Sequence, residues 1–126
     1  MSIPEIQDSD FYILLSKQKL VVIAFLATWC RFCKHIAPYI EKLDRNYGAH
    51  VKIVTIDVDK NNKNKFILNE FCIKNIPTVL IFKDGELAAS ITGIASYDKL
   101  SSTVERFLYP KIFPNELPVR LSDSLN

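Results

Sequence analysis

Two cysteines separated by two residues, Cys30-Arg31-Phe32-Cys33, are the part of this chain whose types and spacing can do chemistry. Thiols at that separation can close to a disulfide and reopen with little backbone movement, so they can exchange two electrons with another disulfide. Just before them, Leu20-Val21-Val22-Ile23 is the continuous apolar run that a strand covered on both faces requires. After them, Ile36, Ala37, Ile40, Leu43 and Tyr47 recur at spacings of three and four and Gly48 follows, which predicts a helix from about Cys33 to Tyr47. Strand, dithiol and helix in that order put Cys30 at a helix N-terminus, where unpaired N–H groups and the helix dipole stabilise a thiolate. Cys30 is then the expected nucleophile. Cys33, about one turn further on, is the expected resolving thiol that attacks a mixed disulfide on Cys30.

The pair has plainer readings. Structural zinc sites use four ligands in paired spacings, and Cys30, Cys33, Cys72, His35 and His50 do not show them, so no metal is expected. A purely structural disulfide over so short a loop would constrain the unfolded chain little. Two inert thiols could simply pack in a core. Redox exchange is preferred to all three. Cys72 reads as a buried small hydrophobe, with a regulatory thiol as the alternative. His35 reads as a solvated or packing residue, and His50 carries no signal.

The elements that must hold the dithiol follow from the rest of the pattern. Phe11, Leu14 and Leu15 after the capping candidates Ser9 and Asp10 predict a short first helix. Strands are expected at Lys19 to Phe25 and Val51 to Val58, with a helix from Lys60 to Phe71 after the second. Thr78 to Phe82 and Glu86 to Ile91 flank Lys83-Asp84-Gly85 and predict a β-hairpin. A last helix is expected from about Ser96 to Leu108. Pro38 inside the dithiol helix removes a backbone donor and predicts a kink rather than a break. Pro110, Pro114 and Pro118 favour an extended tail over 109–126, either loosely docked or a partner-binding segment using Ile112, Phe113, Leu117 and Val119.

Composition narrows the class. At 126 residues and 48% hydrophobic content, one domain is expected. A net charge of +2 from 16 basic and 14 acidic residues leaves no footprint for nucleic acid or an anionic membrane. Leu20 to Ala27 is far short of the roughly 18 residues of a membrane span. No basic segment followed by an apolar stretch opens the chain, so a soluble, cytoplasmic monomer is the working expectation.

Several residues outside the dithiol now fall into one pattern. Trp29 precedes the first cysteine, Lys34 follows the second, Ala37-Pro38 sits on the predicted helix, and Ile76-Pro77-Thr78, Asp84-Gly85 and Gly93 follow in order. From Leu20 to Leu108 the chain resembles the thioredoxin family. The resemblance implies an α/β domain over 1–108: a thioredoxin fold with a central mixed four- to five-stranded sheet flanked by helices. It implies a thiol-disulfide oxidoreductase that reduces protein disulfides through Cys30 and Cys33, needs no cofactor, and takes electrons from a thioredoxin reductase. Pro77 would be cis, setting the Ile76 backbone beside the dithiol to pair with an extended substrate. Trp29, Ile76 and Gly93 would form an apolar patch around Cys30. The plainer reading of Trp29 and Ile76 is core packing.

Three departures bear on mechanism. Thioredoxins usually carry Gly-Pro between the cysteines, where this chain has Arg31-Phe32. Arg31 adds a positive charge beside Cys30 that favours the thiolate, and so predicts a potential above the roughly −270 mV of thioredoxin. Phe32 is expected to face substrate or to be a partly buried loop aromatic. The family's buried acid on the central strand corresponds to Ala24, and the strand position that can place a lysine near it corresponds to Thr55. Water, Asp57 or Asp59 would then have to assist Cys33, and slower turnover is expected. These departures keep two alternatives open: a disulfide oxidase or isomerase, and a non-catalytic binding module.

Overall fold

The apolar run forms β1 (Leu20–Leu26), and its alternate residues enter two different cores. Val21, Ile23 and Phe25 pack with Val54, Ile56, Leu80 and Phe82 on one face. Leu20, Val22 and Ala24 pack with Ile53, Val79 and Ile81 on the other. The structure, a computed structural model describing residues 3–59 and 65–110, sets β1 beside β2 (Lys52–Asp57) in parallel and beside β3 (Thr78–Lys83) antiparallel. Edge strand β4 (Glu86–Thr92) pairs antiparallel with β3, so the order is β2-β1-β3-β4. A strand covered on both faces and paired on both edges favours apolar side chains throughout, and β1 carries only those. β4 is largely exposed and carries Glu86 and Ser90.

Helices cover both faces. α1 (Asp8–Lys17) and α3 (Lys65–Glu70) contribute Phe11, Leu15 and Ile67 to the first core. α2 (Arg31–Tyr47) and α4 (Tyr97–Leu108) contribute Ile36, Ile40, Leu43, Leu100 and Val104 to the second. Polar contacts fix α2 on α4: the Tyr47 hydroxyl donates to Glu105, Asn46 Nδ2 donates to the Tyr97 hydroxyl at 2.6 Å, and Lys42 Nζ lies 4.4 Å from the Tyr97 ring centre. Across the sheet, Asp8 accepts from the backbone N–H groups of Phe66 and Ile67 at 2.9 and 3.3 Å, capping α3 from a distant part of the chain.

Two local expectations are revised, at the start of α1 and at the fifth strand. α1 starts one residue before Ser9, with Gln7 as its N-cap, and Asp10 acts from the third helical position by accepting the Gln7 N–H at 3.1 Å. α2 runs without a break through Pro38, as expected, and Pro38 lies on the exposed side, where water can take the carbonyl left without its donor. The fifth strand reduces, among the described residues, to one parallel bridge between Glu5 and Thr55. Ile6 N–H donates to Thr55 and Thr55 N–H donates to Pro4, both at 2.9 Å. The ladder stops there because Pro4 has no N–H for the next bond.

The hairpin turns as expected at Asp84-Gly85, both with positive φ, 52° and 84°. Of the helix predicted over 60–71, residues 65–70 are helical and 60–64 lie outside the described residues. So does the predicted tail beyond Pro110. Among the described residues, no helix is long and apolar enough to cross a membrane.

Candidate active site

The chain leaves β1 at Leu26, crosses Ala27-Thr28-Trp29 and enters α2 with Cys30 as its N-cap. The cap is the thiol itself: Cys33 N–H donates to Cys30 Sγ at 3.2 Å. A sulfur in that position meets the positive end of the helix dipole. Cys33 stands one turn along, and both thiols are free and each 4% exposed. Ala27, Leu26, Val58 and Ile76 pack around them. Burial, and after it the hydrogen bond with Cys30, push the Cys33 thiol up to about 11. Cys33 is therefore a neutral thiol at pH 7.

The two sulfurs open onto different spaces. Cys30 lies on a groove of about 420 Å³ lined by Trp29, Arg31, Phe32, Lys74, Asn75 and Ile76. Cys33 lies on a separate cavity of about 410 Å³ whose lining includes Glu5, Thr55 and Asp57. Five of the residues predicted from sequence thus meet in one groove. Trp29 is 67% exposed and Phe32 50% exposed, so neither packs in a core. The Trp29 indole N–H donates to the Asp59 carboxylate, which holds the ring over the groove rim.

Pro77 and Gly93 are placed differently from the expected patch. The Ile76–Pro77 bond is cis, Pro77 is buried, and its carbonyl accepts the Gly93 N–H at 2.8 Å. Gly93 has φ 88° and would have room for a Cβ, so its backbone conformation is what calls for glycine. Neither residue lines the groove. They hold the loop that presents Ile76.

Beneath the dithiol, Ala24 is fully buried on β1 and paired with Thr55 on β2, so no carboxylate or amine stands at either position. Of the two aspartates considered as helpers, Asp57 lines the Cys33 cavity and Asp59 is turned to Trp29 instead. Glu5, Lys74 and Asn75 were not singled out from sequence. They carry no local motif, and only tertiary pairing brings them to the site.

Cys72 is exposed, which corrects the expectation of burial. It sits just past α3 with φ 54°, while Ile73 N–H bonds to Leu68 at 2.8 Å and Cys72 N–H to Asn69 at 3.3 Å. That is the helix-stop geometry usually given to glycine, and it turns the side chain to solvent. His35 and His50 are exposed as well. No group of three or more His, Cys, Asp or Glu side chains among the described residues could hold a metal.

The thioredoxin family model matches residues 2–106. This chain belongs to the thioredoxin family. The thioredoxin of Bacillus subtilis is 36% identical over 108 residues, covering 86% of this chain and all of that protein. Thioredoxin C-2 of Corynebacterium nephridii is 39% identical over 93 residues, 74% of this chain and 83% of its own. Oxidised mitochondrial thioredoxin 3 of Saccharomyces cerevisiae superposes with a TM-score of 0.74 at 31% identity, covering 82% of this chain and 94% of that one. The fold is the thioredoxin fold, and the chain is a thiol-disulfide oxidoreductase acting on disulfide substrates.

Proposed function

We propose that this thioredoxin-family chain reduces protein disulfides, with Cys30 as nucleophile and Cys33 as resolving thiol. One observation carries the assignment: Cys30 caps α2 and faces the groove, while Cys33 lies behind it as a neutral thiol on another cavity. The Cys30 thiolate attacks a substrate sulfur, forms a mixed disulfide and releases one substrate thiolate. Cys33 then attacks Cys30 Sγ, closing the Cys30–Cys33 disulfide and releasing the second thiolate. A thioredoxin reductase is the proposed electron donor, with the protein acting as a cytoplasmic monomer whose catalytic domain spans 1–108.

The groove supports a substrate-binding role for Trp29, Arg31, Phe32 and Ile76, with Pro77 and Gly93 holding the loop beside them. Arg31 and Lys74 place two cations beside Cys30, which favours substrate segments carrying acidic residues. Dithiothreitol-driven reduction of insulin is the test. Wild type should catalyse it and Cys30→Ser should fall to the uncatalysed rate. Equal rates in the two proteins would defeat the assignment.

A further inference from the structure

The Cys33 cavity holds chemistry that the groove lacks. Its lining presents Glu5 from the N-terminal segment, Cys33 and Lys34 from α2, and Asp57 from β2; β1 contributes only Leu26 to it. At about 410 Å³ it exceeds many times the roughly 30 Å³ share of one water in the liquid. Glu5 and Lys34 are exposed at its mouth.

Strand register explains why Glu5 is there. Residues bridged across a sheet point their side chains to the same face. The Glu5–Thr55 bridge and the Thr55–Ala24 pair therefore set Glu5, Thr55 and Ala24 in one row on the α2 side of the sheet. Ala24, on the interior strand β1, offers that row only a methyl group, and the Glu5 carboxylate stands at its edge. Asp57 shares the face, but its Oδ1 accepts the Asp59 N–H at 2.9 Å in the turn after β2.

We infer that Glu5 accepts the Cys33 proton, through cavity water, when Cys33 attacks the mixed disulfide. The inference rests on the resolving role proposed for Cys33. As the Cys33–Cys30 sulfur bond forms, the bond from Cys30 to the substrate sulfur breaks and the substrate leaves as a thiolate with that electron pair. The Cys33 proton passes to the Glu5 carboxylate and from there to bulk solvent or to the departing thiolate. A neutral buried thiol needs such an acceptor, because only the thiolate attacks.

The test is stopped-flow reaction of the reduced full chain with excess dithionitrobenzoate. The first thionitrobenzoate leaves when Cys30 attacks, at a rate proportional to reagent, and the exposed Cys72 thiol adds a separate release that is also proportional to reagent. The second leaves when Cys33 displaces it, at a rate independent of reagent. Glu5→Gln should slow the second phase about tenfold, below the roughly hundredfold or greater effect of a base in direct contact. It should leave the first phase within about twofold. Glu5→Asp, which keeps the carboxylate, should recover part of the second-phase rate.

Because Glu5 is exposed, unchanged circular dichroism is expected for both variants. An unaltered second phase in Glu5→Gln would overturn the inference. So would transfer of the whole effect to Asp57→Asn. Failure of the resolving role would look different: Cys33→Ser would keep the reagent-independent release, and both readings would fall together.

Discussion

The two sides of the dithiol differ in what lines them, not in size. On the Cys30 side, exposed Trp29 and Phe32 surround the sulfur with flat apolar surface, flanked by Arg31 and Lys74. On the Cys33 side, the lining combines Ala27, Ala37 and Leu26 with Glu5, Thr55 and Asp57. Both thiols are equally covered, so accessibility does not distinguish them. What distinguishes them is the lining each meets: aromatic and cationic side chains beside Cys30, small residues and carboxylates beside Cys33. One turn of α2 separates the two linings.

The sharpest break of this comparison is to remove one sulfur at a time. Cys30→Ser should abolish insulin reduction. Cys33→Ser should abolish turnover while trapping one substrate per chain as a mixed disulfide on Cys30, visible by mass spectrometry and released by dithiothreitol. If Cys33→Ser traps nothing while Cys30→Ser does, the two sides are reversed.

A second effect comes from the raised Cys33 thiol, and its sign can be worked out. A free thiol titrates near 9.0 and Cys33 in the fold at about 11, the shift coming first from burial. Below pH 9 both folded and unfolded chains carry the proton, and this group gives stability no pH dependence. Between 9 and 11 the unfolded chain loses it first, so the reduced protein loses up to about 2 kcal/mol as pH rises. Urea midpoints of the reduced wild type should fall faster over that window than those of Cys33→Ser. Parallel curves would mean that Cys33 is not held in a desolvated site.

Smaller again is the contribution of the groove cations. Lys74→Ala and Arg31→Ala should each raise KM about three- to tenfold for a disulfide peptide flanked by glutamates, and less for a neutral one. The difference should shrink at high salt, as exposed charges are screened. Equal effects on both peptides would reduce the groove to an apolar surface.

Much of this arrangement was legible in the sequence because it depends on local pattern. The apolar run of β1, the helical period after Cys33, the Asp84-Gly85 turn and the dithiol each lie within a few residues, and each forms where the pattern places it. What was not legible depends on distant pairing. Glu5 reaches the site through a single bridge to Thr55, fifty positions away along the chain. The different fates of Asp57 and Asp59 depend on where the Trp29 indole lands. The exposed edge strand β4 could be read as a strand from its turn but not from its weak apolar content.

Cys72 shows the limit of reasoning from residue type, and it provides the smallest prediction. Free cysteine is usually buried, yet the stop of α3 demands a left-handed residue at 72 and exposes whatever side chain stands there. Holding a non-glycine residue in that region costs roughly 1–2 kcal/mol, while glycine costs roughly 0.5–1 kcal/mol more unfolded-state entropy. Cys72→Gly should therefore stabilise the protein by under about 1 kcal/mol, read as a higher urea midpoint at unchanged slope. Cys72 lines neither the groove nor the cavity, so both phases of the dithionitrobenzoate reaction should keep their rates in Cys72→Gly. A change in the second phase would mean that the loop from Cys72 to Ile76 transmits strain to the dithiol, and that the two sides of the site are coupled through the segment that presents Ile76.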